Sequence, residues 1–156
     1  HVFHGVAKAP EHAPLAERLR VIADEVESVI RAHGPAVCAI EQAFVHRDAR
    51  AALMIGHARG ALMLIAARAN LTVFEYPPAT VKRAVVGSGR ADKMQVNGMI
   101  RAILGLREAP AIDASDALAV AVCHAGALVL PKSAVPEAKP PRAARAPRVR
   151  RTTHAV

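Results

Sequence analysis

The sequence predicts an α/β fold, with a largely parallel sheet and helices covering it. Short apolar runs of strand length, residues 36–42 (AVCAIEQ) and 71–76 (LTVFEY), alternate with longer segments whose apolar residues recur every three or four positions. Gly and Pro mark the boundaries, as at His33-Gly34-Pro35 and Pro77-Pro78.

In chain order, residues 1–9 alternate loosely (Val2, His4, Val6) and read as the end of a strand. Pro10 and Pro14 bound a linker, and residues 15–33 carry Leu15, Leu19, Ile22, Val26, Val29 and Ile30 on one helical face. The run 36–42 is short and apolar enough for a buried parallel strand. Asp48 is placed to cap a helix over 49–69, in which Gly56, Ala58, Gly60 and Ala61 permit close packing. After the strand 71–76, Pro78 fits the first turn of a helix running through Val85. Gly87-Ser88-Gly89 reads as a flexible loop, Asp92 caps a helix over 93–104, and 113–130 is a long apolar helix. The order is β-α-β-α-β-α-α-α. Three strands make a small sheet for so many helices, and the chain opens on His1 rather than Met. Both features lead to the expectation of further strands upstream of His1.

At 156 residues, 53% apolar and 22% charged, the chain has the size and composition of one globular domain. Disorder throughout is excluded by the apolar content. A secreted disulfide scaffold is excluded because Cys38 and Cys123 are the only cysteines; in apolar runs they read as buried thiols of a cytoplasmic protein. The longest uncharged apolar stretch, 117–130, is 14 residues, short of the roughly 18–20 that cross a bilayer, so no membrane partner is expected.

Charge divides the chain into residues 1–130 as the folded domain and 131–156 as a disordered tail rich in Pro, Ala and Arg. Between residues 132 and 151 lie seven Lys or Arg against Glu137 alone, so the tail holds +6 of the net +8. A basic tail on a nearly balanced domain points to a polyanion, most simply nucleic acid, although a solvated tail that aids solubility has the same composition.

Three acids stand out. Glu41 ends an apolar strand, where α/β sheets place their ligands, although an edge glutamate leaving the sheet would look the same. Asp113 and Asp116, three residues apart, share a helix face near its start, where simple capping also explains them. The apolar run 117–122 suggests a helix buried on all sides, and a second acid on such a helix needs a further reason. Oxygen-only donors from several elements suit Mg²⁺ or Mn²⁺, and paired ions of this kind serve phosphoryl chemistry. Phe44, in a polar segment past Glu41, would stack on a base or staple the next helix. Lys82, Arg83, Arg90 and Lys93 surround the GSG loop, as phosphate contacts or as ordinary surface charge. His124 reads as a buried, hydrogen-bonded histidine and Cys123 as core.

The segments AIEQAFVHRDARAALMIGHARG, VFEYPPATVKRAVVGSGRADKMQV and DASDALAVAVCHA together resemble the RuvC family of Holliday junction resolvases, over about residues 8–130. The resemblance implies an RNase H-like mixed sheet with covering helices. It implies a homodimer that binds four-way DNA junctions and nicks two strands symmetrically, and a branch-migration helicase complex as partner. It also implies a four-carboxylate site holding two Mg²⁺ ions, with Mn²⁺ as a substitute. On matching positions Glu41, Asp113 and Asp116 are three of the four acids. Lys82 and Lys93 match lysines near the scissile phosphate, and Phe44 matches an aromatic at the opened junction.

The family opens with a strand carrying G-[IL]-D-P-G, whose Asp is the fourth acid. This sequence starts where the family's third strand falls, so the expectation is of a chain lacking that Asp and the first strands. Two other readings stand beside the nuclease. One is a truncated relative that binds branched DNA without cutting it; the other is a small basic structural protein whose acids are helix caps.

Overall fold

A computed structural model describes residues 1–42 and 48–129. It contains α1 (Leu15–His33), β1 (Val37–Glu41), α2 (Ala49–Arg68), β2 (Thr72–Tyr76), α3 (Pro78–Val86), α4 (Lys93–Leu104) and α5 (Ile112–Val129). The tail 131–156 and Phe44 lie outside the described residues.

The centre is a β-α-β unit. β1 and β2 pair in parallel, with Ala39 opposite Phe74, Ile40 opposite Glu75 and Glu41 opposite Tyr76. Strand side chains alternate between faces. Phe74 and Tyr76 meet α5 through His124, while Glu75 meets α2 through Arg59. The two-stranded ribbon is therefore sandwiched between α2 on one face and α5 on the other. Register puts Glu41 on Tyr76's face, the face of α5.

Local chemistry sets the boundaries. Asp48 accepts from the Arg50 backbone N–H at 2.8 Å and starts α2. Asp92 and Gln95 form a reciprocal capping box at the start of α4 (2.8 and 3.0 Å). Gly34 ends α1 in the left-handed conformation (φ 54°), which a side chain would disfavour.

The core lies to one side. Tyr76, Val81, Val85, Val96, Ile100, Leu118, Val120 and Cys123 form a continuous buried cluster from β2, α3, α4 and α5. α1 packs on α2 but buries none of its residues fully, and α2 buries only Ile65 and Ala66.

Several expectations need correction. Residues 1–9 are not a strand; they pair with no other segment among the described residues, and Phe3 stacks on His33 instead (5.4 Å between centroids). The described sheet therefore has two strands rather than three. The GSG segment is not a slack loop. Gly87 caps α3 (φ 78°), the Arg90 backbone N–H donates to Ser88 Oγ at 3.3 Å, and a Cβ at Gly89 would lie 3.1 Å from the Ala79 carbonyl oxygen. α5 is not buried all round: Ala114, Ser115, Leu118 and Ala119 face inward, while Asp113, Ala117 and Ala121 face solvent. Alanines on the outer face made the helix look apolar throughout. Among the described residues α2 alone is long and apolar enough to cross a bilayer, although its arginines interrupt any uncharged run; here it packs on α1 and β2.

Candidate active site and nucleic-acid interface

Glu41 is the last residue of β1 and sits at the carboxyl end of the ribbon, on the face of α5. The residue as a whole is exposed, yet the surrounding protein removes water from its carboxyl. That desolvation, and then the negative charge of Asp116, push its pKa above the ordinary carboxylate value, while Lys93 and Lys82 pull it back. The shift locates four side chains from β1, α3, α4 and α5 in one electrostatic neighbourhood.

Lys93 is the hub. It is the first residue of α4, where the helix dipole disfavours a positive charge. Its Nζ donates to Asp116 Oδ2 at 3.1 Å, and the bond and charge of Asp116 hold the ammonium above its ordinary pKa, with Asp113 and Glu41 adding to the effect. The pair is open to solvent, at 65% and 41% exposure, so it contributes at most about 1 kcal/mol to stability. A lysine at the wrong end of a helix, set among three acids for so little stability, is better explained by what the cluster binds.

Asp113 is not the cap of α5, because the helix begins one residue earlier at Ile112. It lies in the exposed first turn, where its charge complements the dipole. Asp116 follows on the same side, half-exposed. The sequence-selected residues Glu41, Lys82, Lys93, Asp113 and Asp116 thus converge. Arg90 is exposed in the α3–α4 turn and, among the described residues, makes no ion pair with these acids; Phe44 lies outside the described residues.

Hard oxygen donors gathered at one end of a sheet, with the Glu41 carboxyl pushed up by desolvation and then by Asp116, are the donor chemistry of a divalent-cation site. The fit is one of charge and donor type, since among the described residues no three His, Cys, Asp or Glu side chains close to metal-binding distance.

Three braces escaped the sequence reading. Arg59 of α2 donates to the Glu41 backbone carbonyl through Nη1 and to the Glu75 carboxylate through Nη2. Tyr76 and His124 share a buried hydrogen bond of 2.7 Å that fastens β2 to α5; burial lowers the histidine's pKa and favours the neutral ring. Asn97, buried on α4, donates to the Pro110 carbonyl at 2.9 Å and fixes the chain entering α5. The signals were thin: an Arg midway along an apolar helix, and an Asn on the inward face of another. His124 is the buried, hydrogen-bonded residue the sequence favoured.

The chain as a whole is similar to known proteins in sequence and in fold. A family model of the crossover junction endodeoxyribonuclease RuvC matches residues 1–124. RuvC of Halorhodospira halophila is 53% identical over 124 residues, which is 80% of this chain and 74% of that protein. RuvC of Maricaulis maris is 50% identical over 124 residues, with the same coverage of 80% and 74%. Among solved structures, Thermus thermophilus RuvC matches with a TM-score of 0.71 at 38% identity, covering 80% of this chain and 75% of that one. The same protein in complex with Holliday junction substrate matches with a TM-score of 0.73 at 38% identity, covering 78% and 74%. The fold is therefore the RNase H-like fold of those structures. More narrowly, the chain belongs to the RuvC family of crossover junction endodeoxyribonucleases.

Proposed function

We propose that this chain is a structure-selective endodeoxyribonuclease that resolves four-way DNA junctions, with Glu41, Asp113 and Asp116 as its metal-binding acids. The observation that carries the reading is the coupling of Glu41, Asp116, Lys93 and Lys82 from four elements at one end of the ribbon, in a chain of this family. The acids would hold Mg²⁺, two ions per site with Mn²⁺ as a substitute. When bound, such ions lower the pKa of a water and neutralise charge on the leaving oxygen.

The chain's own groups do the rest. Lys82 and Lys93 offer positive charge to the scissile phosphate and its neighbours, and Arg90 extends that charge along the α3–α4 turn. Asp116 orients Lys93 and keeps it protonated. Water attacks the phosphodiester in line, the bond to the 3′ oxygen breaks, and the ends carry 5′-phosphate and 3′-hydroxyl. Phe44, three residues past Glu41, is proposed to stack at the opened junction, and the basic tail to add salt-sensitive DNA affinity.

A homodimer is proposed to deliver the paired nicks, with a branch-migration helicase complex as its partner. Support for a second copy comes from α2, whose Leu53, Ile55 and Leu64 are 64%, 43% and 59% exposed.

The test is an end-labelled synthetic four-way junction in Mg²⁺ beside a linear duplex of the same sequence, run on native and denaturing gels. Paired symmetric nicks in the junction alone are expected. Junction-selective binding without nicks would replace this reading with that of a binding protein. Equal treatment of junction and duplex would remove both.

A further inference from the structure

The Glu41 carboxyl lies on the α5 face of the ribbon, but the group that holds its backbone comes from the other face. Arg59 projects from α2, and its side chain is only 17% exposed. One arm of its guanidinium donates to the Glu41 carbonyl and the other to the Glu75 carboxylate. Glu75 pairs in register with Ile40 and directly precedes Tyr76, the partner of Glu41. A single planar group thus ties α2 to the carboxyl ends of both strands.

A strand's last peptide is its least constrained, because the ladder ends there. Beyond Glu41 the ladder continues by one bond, from the Gln42 N–H to the Tyr76 carbonyl at 2.8 Å. The Glu41 carbonyl takes its hydrogen bond from the guanidinium. If that peptide turned, the Glu41 side chain would swing relative to Asp116 and Lys93 on α5 and α4.

The geometry points to Arg59 as a positioning residue that sets the aim of Glu41 from behind the sheet, with Glu75 as the anchor that aims Arg59. This rests on the proposed role of Glu41 in junction cutting. The fork is specific: an ammonium has no planar pair of donors to span a carbonyl and a carboxylate on neighbouring strands, so lysine does not replace arginine here. The effect is large because small displacements at a reacting centre are costly; about 1 Å can lose on the order of a hundredfold in rate.

The test must separate aiming from stability, since Arg59→Met alone strands the half-buried Glu75. The double variant Arg59→Met/Glu75→Met removes both charges and keeps apolar bulk. Three measurements are made on the full chain: thermal melting, junction affinity in EDTA, and hydrogen exchange of the Gln42 amide. Single-turnover cutting at saturating junction is the fourth. The expected result is a melting temperature and junction affinity near wild type, Gln42 exchange at least about tenfold faster, and cutting slowed by at least about tenfold. Arg59→Lys should show the same split. Unchanged Gln42 exchange in the double variant, or cutting within about twofold of wild type, would overturn the inference and leave Arg59 a purely structural ion pair. A wild-type chain that does not cut the junction would defeat the functional reading instead; the Gln42 exchange then still decides whether Arg59 holds the end of β1.

Discussion

The two halves of the molecule carry similar sequence patterns and have very different interiors. β2, α3, α4 and α5 share the buried cluster centred on Ile100, which is 0% exposed. α1 has a clear amphipathic stripe and α2 is strongly apolar, yet α1 has no fully buried residue and Leu53 and Leu64 of α2 are mostly exposed. Periodicity reports which face of a helix wants cover. Whether the cover is supplied depends on what packs there. The candidate site lies at the seam, with Glu41 reached by Arg59 from the α2 side and by Lys93 and Asp116 from the packed side.

Truncating one apolar side chain in each half should give the largest contrast. Ile100→Ala should cost roughly 2–5 kcal/mol, because it removes buried methyl groups and leaves a cavity. Leu64→Ala at low protein concentration should stay within about 0.5 kcal/mol, as exposed substitutions do. Urea unfolding measures both. A cost at Leu64 that grows with protein concentration would mean that a second copy covers α2.

Asn97→Ala comes next. It leaves the Pro110 carbonyl without its donor and should cost about 1–3 kcal/mol. It should also loosen the start of α5, read as faster amide exchange around residues 112–116. Equal loosening along the whole chain would mean Asn97 serves only global stability.

The smallest effect is on pH. Glu41 has a folded pKa raised above its unfolded value, so the folded state holds its proton longer. Stability then falls as pH rises from the ordinary carboxylate range through the raised value, and is flat below it. Melting in EDTA across that window should show this fall in the wild type and not in Glu41→Gln. Identical slopes would mean that neither desolvation nor the charge of Asp116 raises the Glu41 carboxyl's pKa in the folded chain.

The legible parts of the fold were the local ones. Asp48, Asp92, Gly34 and Pro77-Pro78 act on their own neighbours, so the limits of α1, α2 and α4 follow from sequence to within a residue. Glu41, Asp113 and Asp116 stood out by their places at a strand end and a helix start, but position alone explained them equally as an edge glutamate and helix caps, and it was the family resemblance that assigned them to one site. The braces were not legible. Arg59 to Glu41, Tyr76 to His124 and Asn97 to Pro110 span 18, 48 and 13 residues, and no spacing rule predicts such pairs. The strand assigned to residues 1–9 failed for a related reason. Alternation gives a segment the shape of a strand, but only a neighbour makes it one.

The metal-binding role of the acids is tested most directly by Asp116→Asn, with cutting, junction affinity and melting measured on one preparation. Cutting should fall by more than about a hundredfold, beyond what loss of an outer supporting group costs. Junction affinity should change little, and the melting temperature should hold, because the exposed Lys93–Asp116 pair contributes little to folding. Cutting at the wild-type rate, or a loss of cutting matched by a loss of fold, would contradict the account.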